Sequence, residues 1–162
     1  MHFTLIRALL GLLLLIFSLT MLLPIGFAVY FGEQTVLPFV AGFAVTALTG
    51  AALWLPNRSP AGQLRVRDGF LITSLFWLVL GTFGALPLYF SEHLSMSVVD
   101  AVFESVSGLT TTGATVITGL DALPLSLLYY RQQLQWLGGI GIIVIAIAIL
   151  PMLGIGGMQL YR

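Results

Sequence analysis

Residues 97–115 read SVVDAVFESVSGLTTTGAT, and the fold turns on them. The apolar part, Val98 to Leu109, makes a helix of only about 18 Å, against a hydrocarbon core of roughly 30 Å. It cannot cross a bilayer. Ser97 followed three residues later by Asp100 is an N-terminal capping signal, so the short helix is expected to begin there. After Leu109 the chain changes character. Thr110-Thr111-Thr112-Gly113-Ala114-Thr115 is rich in hydroxyl and carbonyl oxygens, and its glycine can take a positive φ without steric cost. As a bare string this marks an ordinary loop as readily as a ligand site. Its setting between long apolar runs is what raises its interest.

The chain has 162 residues, 59% of them hydrophobic and 7% charged, where a soluble domain carries roughly 25% charged residues. A mean hydropathy of +1.07 and 18 glycines suit helices packed closely in lipid. The formal net charge is zero, which gives no basis for a nucleic-acid partner. With no cysteine there is no disulfide, thiolate nucleophile or cysteine-ligated metal. His2 and His93 lie far apart, whereas a catalytic zinc wants about three protein ligands. The apolar segments hold no carboxylate pair, histidine cluster or Ser/His/Asp arrangement, so neither an enzyme nor a bound cofactor is expected.

Outward from the deciding stretch, four long runs appear. Leu5 to Phe31 carries no charge after Arg7 and reaches about 40 Å as a helix, with Pro24 placed to kink its far end. Its rival reading is a secretory signal, with His2 and Arg7 as a basic start and Gly26 and Ala28 at a cleavage site. The run exceeds the roughly 7–15 residues of such a segment. Val36 to Leu55 is the second run, about 30 Å long. Gly42, Thr46 and Gly50 recur on one of its faces and predict close packing against another helix. A hydrophilic linker follows over 57–68, broken by Asn57, Pro60 and Gly62 and charged by Arg58, Arg65 and Arg67.

The third run is Gly69 to Phe90, and the fourth is Leu125 to Leu150, ended by Pro151 ahead of Gly154, Gly156 and Gly157. Within the fourth, Gly138, Gly139 and Gly141 are expected to pack where this helix meets the short one. They lack both the preceding strand and the GxGxxG spacing of a nucleotide-binding loop.

All six basic residues are arginine. With a cytoplasmic N-terminus, Arg7, Arg58, Arg65, Arg67 and Arg162 share the inner side and only Arg131 lies outside, as the positive-inside rule requires. Glu33, Glu92, Asp100, Glu104 and Asp121 then fall on or near the outer side, where they would concentrate cations. In that topology the third run ends outside and the fourth begins outside, so Ser91 to Ser126 must dip in and return by the same face. Non-helical backbone is tolerated at that depth only where it is buried in protein or lines an aqueous cavity. The short helix points inward, and its partially negative C-terminal end faces the middle of the membrane, where it favours a cation. Glu104 and Arg131 are charges near the apolar zone that need partners, and Arg131 is expected to pair with Glu104 or Asp121.

The expected fold is therefore an all-α integral membrane protein. Two leading transmembrane helices (1–56) and a cytoplasmic linker (57–68) precede one pore module (69–162) of helix, re-entrant loop and helix. Its parts are a spanning helix 69–90, a pore helix about 97–110, a filter 110–115, and a spanning helix about 125–150 with a glycine-rich extension.

At Phe103 to Ile117 (FESVSGLTTTGATVI), Gln135 to Val144 (QWLGGIGIIV) and Leu150 to Arg162 (LPMLGIGGMQLYR) the chain resembles the Trk/Ktr/HKT superfamily of potassium transporters, along essentially its whole length. The resemblance implies potassium uptake, of symport class, across a bacterial inner membrane. In that family each pore loop gives threonine and carbonyl oxygens plus a glycine to a potassium filter. The corresponding positions here are Thr111, Thr112 and Gly113, supported by Thr110 and Ala114. Family members also form homodimers and bind a cytoplasmic nucleotide-binding regulatory ring. They hold four pore modules where this sequence has one, and a closed ring of oxygens needs all of them. The expectation is a fragment or truncated reading frame supplying the first filter segment, with four assembled copies as the less favoured route. A structural or assembly membrane protein with no conducting role is the alternative.

Overall fold

A computed structural model of the chain describes residues 3–58 and 66–152. Seven α-helices occur among them: α1 Phe3–Thr20, α2 Leu22–Tyr30, α3 Val36–Trp54, α4 Val66–Gly84, α5 Leu86–Phe90, α6 Val98–Leu109 and α7 Leu125–Met152. No strand forms among the described residues. Among the described residues, three helical stretches, Phe3–Tyr30, Val36–Asn57 and Gly69–Phe90, are long and apolar enough to cross a membrane. His2, the middle of the linker and the extension with Gly154, Gly156, Gly157 and Arg162 lie outside the described residues.

Two of the expected single helices are bent pairs, and proline explains both. Pro24 has no N–H to give the carbonyl of Thr20 four residues earlier, and the first span breaks at Met21 between α1 and α2. Pro87, near the start of α5, breaks the third span at Ala85 in the same way. By contrast α7 runs on to Met152, so Pro151 does not end it at Leu150. Near a helix C-terminus a proline removes one hydrogen bond without forcing the chain out of its path.

α1 packs along α3, and α6 sits between α4 and α7. The small-residue stripe on α3 is buried throughout. Gly50 meets the backbone of Gly11 on α1, while Gly42 meets the ring of Pro87, so any side chain there would collide. Leu14, Phe17, Phe39, Leu80, Leu109, Tyr130 and Leu134 form the core among these elements. Phe39 and Tyr130 meet edge to face at 5.2 Å.

The first turn of α7 is fastened from outside its own sequence neighbourhood. The Glu33 carboxylate, in the turn between α2 and α3, accepts from the N–H groups of Leu125 (2.7 Å) and Ser126 (3.1 Å). The hydroxyls of Thr35 and Ser126 meet at 2.6 Å beside it. A carboxylate at this end satisfies orphan donors and suits the helix dipole. Burial raises the Glu33 carboxyl, but hydrogen bonds from Ser126, Leu125 and Thr35 outweigh it and leave it below its ordinary value.

Candidate functional site

α6 starts as its sequence requires. The Ser97 hydroxyl oxygen accepts from the Asp100 N–H at 3.2 Å, and the same hydroxyl donates to the Asp100 carboxylate at 2.7 Å. Leu109, the last residue of α6, shares a small apolar cavity of about 130 Å³ with Phe17 of α1, Leu80 of α4 and Gly138 of α7. Phe17 lies near the middle of the first span and Leu80 near the middle of the third. The C-terminal end of the short helix is therefore level with the centres of the long ones.

The chain then turns back beside α6. The Ser107 hydroxyl donates to the carbonyl of Ala114 at 2.6 Å. One turn back toward the start of α6, the Glu104 carboxylate accepts from the Thr115 hydroxyl at 3.0 Å and the Val116 N–H at 3.1 Å. Val116, Ile117 and Thr118 then line a cleft with Asp100 and Met96, at the level where α6 begins. The segment enters and leaves by one face.

The turn itself has a specific backbone chemistry. The N–H of Thr111 donates to the carbonyl of Gly108 and that of Thr112 to the carbonyl of Ser107, both at 2.9 Å. This is the paired bonding of a Schellman helix end, whose first residue beyond the cap is left-handed. That residue is usually glycine. Here it is Thr111 at φ 56°, a strained conformation for a β-branched side chain. Gly113 is also left-handed, at φ 75°.

The N–H groups of Thr110 and Gly113 likewise donate into α6, to Val106 and Ser107. All four donors of residues 110–113 are thus engaged with the helix. Among the described residues, no donor reaches their four carbonyl oxygens. The Thr110 hydroxyl donates to the Val106 carbonyl and lies 2.8 Å from the Thr112 hydroxyl. Residues 110–116 are all exposed. An exposed surface of free acceptors with its donors turned away suits a cation and not an anion. No group of three or more His, Cys, Asp or Glu gathers among the described residues, so cation ligands there would be hydroxyl and peptide oxygens.

The structure brings Thr110, Thr111, Thr112, Gly113 and Ala114 together on this turn, though Ala114 has its carbonyl tied to Ser107. Arg131 lies buried on α7. Its guanidinium pairs with Glu104, Nε at 2.7 Å and Nη2 at 2.5 Å, while Asp121 stays apart in the loop. Of the α7 glycines, Gly138 alone meets α6, against the Leu109 backbone. Gly141 faces Trp77 and Phe76 of α4, and Gly139 faces open space. Sequence reasoning missed Ser107 and the left-handed Thr111. A hydroxyl one turn before the end of a short helix was the available signal for the first.

Comparison with known proteins follows the same lines. The profile of the family described as TrkH, cation transport protein, matches residues 37–162. The Trk system potassium uptake protein TrkH of Halomonas elongata is 59% identical across the whole chain, which covers 34% of that relative. The protein of the same name from Escherichia coli K12 is 54% identical, also over the whole chain and 34% of its own length. The crystal structure of the potassium transporter TrkH from Vibrio parahaemolyticus superimposes with a TM-score of 0.91 at 55% identity. That match covers 98% of this chain and 34% of the other. The chain spans about a third of the length of the relatives it matches.

Proposed function

Because this chain belongs to the TrkH family of cation transport proteins, we propose that it supplies one oxygen-lined segment of a potassium-selective path across a bacterial inner membrane. The observation that carries the reading is the turn at 110–113, exposed, with its donors engaged in α6 and its carbonyl oxygens free. A potassium ion sheds water only where such oxygens replace it. Thr111, Thr112 and Gly113 carry that role, with Thr110 and Ala114 supporting the turn. The end of α6 adds the partial negative charge of a helix C-terminus at mid-depth.

In this reading residues 1–56 are two leading membrane helices, 57–68 a cytoplasmic linker and 69–162 the first pore module, with the N-terminus inside. The other sides of the ion path come from further pore modules of the complete transporter, which is a homodimer with a cytoplasmic nucleotide-binding ring. The membrane potential, worth about 2.3 kcal/mol per charge per 100 mV, draws potassium inward, with symport of a second ion as the family resemblance implies. The chain does no covalent chemistry.

Single cysteines at positions 110–115 of the complete transporter test the reading. Labelling by aqueous thiol reagents that potassium suppresses is the expected result. Uniform labelling that potassium leaves unchanged would instead make the turn a connecting loop of a structural membrane protein. Reporter fusions at Asn57 and Ser95 test the topology, and they should report opposite sides.

A further inference from the structure

We propose that the Glu104 carboxylate, fixed by Arg131, is a positioning residue for ion selectivity, because it sets where the chain leaves the threonine turn. This rests on reading the turn at 110–113 as ion-lining. Both oxygens of Glu104 are engaged, and they face different elements. Oε1 takes the Arg131 guanidinium of α7 at 2.7 and 2.5 Å, whereas Oε2 takes the Thr115 hydroxyl at 3.0 Å and the Val116 N–H at 3.1 Å. Glu104 is 4% exposed and Arg131 8%. One buried carboxylate therefore joins α6, α7 and the returning segment.

A contact that merely glued α6 to α7 would need Oε1 alone. The second oxygen fixes a peptide N–H and a hydroxyl directly after the candidate oxygens. The Thr115 hydroxyl in turn accepts from the Ile117 N–H at 3.0 Å, which extends the hold along the returning chain. With Ser107 holding the Ala114 carbonyl, residues 114–116 are fastened to α6 at consecutive positions. Their four predecessors are fastened through their N–H groups. What stays unfastened between these holds is the set of carbonyls at 110–113. Arg131 balances the carboxylate, so the pair acts on the ion through geometry and not through a net charge. An uncompensated charge at this depth would be costly to keep.

The test uses the complete transporter with three substitutions, each scored for membrane level and for the ratio of rubidium to sodium uptake. T115V removes only the hydroxyl arm and leaves Glu104 and Arg131 intact. E104Q puts an amide donor among groups that are themselves donors. Both should lower the uptake ratio at normal membrane level, E104Q by about tenfold, the factor of one charge-assisted hydrogen bond. Should E104Q fail to accumulate, T115V decides alone. G113S runs in parallel. If it shifts the ratio while T115V, and E104Q where it accumulates, do not, Glu104 is structural glue only and the inference is overturned. If G113S also leaves the ratio unchanged, the ion-lining reading fails and takes the inference with it.

Discussion

Gln133 on α7 donates its side-chain amide, at 2.8 Å, to the carbonyl of Thr20, the oxygen that Pro24 leaves without a helical partner. Tyr130, three residues earlier, reaches the break in the third span, its hydroxyl donating at 2.8 Å to the carbonyl of Gly84, the last residue of α4. Arg131 lies between them and holds Glu104 of α6. Unpaired peptide groups are expensive in hydrocarbon, so each proline bend needs a donor from a neighbour. A single turn of one helix therefore fastens α1, α4 and α6 around the candidate site.

Replacing Gln133 by leucine should destabilise the complete transporter by about 1 kcal/mol, the scale of an interhelical hydrogen bond in a membrane. The loss is limited because the Gln133 amide oxygen has no partner among the described residues, and leucine removes that cost too. Pro24→Ala restores an N–H for Thr20, so Gln133→Leu should cost less in that background. A double-mutant cycle on thermal unfolding in detergent measures the coupling. Strict additivity would mean that the two sites are independent.

Gly138 and Gly139 are neighbours with opposite expectations. A Cβ at 138 would run into the carbonyl of Leu109, whereas one at 139 meets nothing within 4 Å among the described residues. Gly138→Ala must push α6 away at the point where it delivers the threonine turn, at a cost of about 1–3 kcal/mol. Gly139→Ala should leave stability unchanged or raise it slightly through helix propensity. Unfolding temperatures of the two variants decide, and equal values would contradict the close approach.

Glu33 predicts a pH dependence. Its carboxyl lies below the ordinary value because bonds to the start of α7 favour the charged form. A depressed carboxyl contributes stability that is complete above the unfolded value of about 4.5 and is lost as pH falls through the lower folded value. Glu33→Ala should cost about 1 kcal/mol at neutral pH, as for a lost helix cap, and should flatten the acid limb of stability against pH. An acid limb of unchanged steepness would assign it to other groups.

Much of this was legible because it rests on local chemistry. The Ser97 and Asp100 cap, the limits of α6 and the small-residue face of α3 follow from spacing alone, and each is where the sequence puts it. Pro24 announced a bend. Pro87 did so equally, but inside an unbroken apolar run it was absorbed into one helix. The remainder depends on which distant residues meet. Glu33 reaches the start of α7 across 92 residues, and Gln133 reaches Thr20 across 113. No periodicity encodes such pairs. Arg131 could be assigned only to a choice of two carboxylates, since the position of Asp121 depends on how the loop closes. The left-handed Thr111 escaped notice because propensity places glycine at a Schellman position, and here the bonds of the helix end override it.

That strain separates two substitutions which would otherwise look alike. Thr111 and Gly113 are both left-handed, at φ 56° and 75°. Thr111→Gly relaxes a conformation costing roughly 1–2 kcal/mol for an L-residue, so thermal stability should hold or rise while one hydroxyl is lost. Gly113→Ser adds a similar strain. Among the described residues, no atom beyond its two chain neighbours lies within 4 Å of the Cβ it would gain, so crowding would come from the other pore modules around the ion path. Potassium preference should therefore fall sharply in Gly113→Ser, since both the backbone torsion and the shared space change. It should fall modestly in Thr111→Gly, and less in Thr112→Ala than in Gly113→Ser, because neither variant strains the backbone that aims the peptide carbonyls. Growth on limiting potassium, with rubidium and sodium uptake by the complete transporter, gives the order. If Gly113→Ser keeps normal selectivity at normal membrane levels, the turn does not line the ion path, whatever its oxygens suggest.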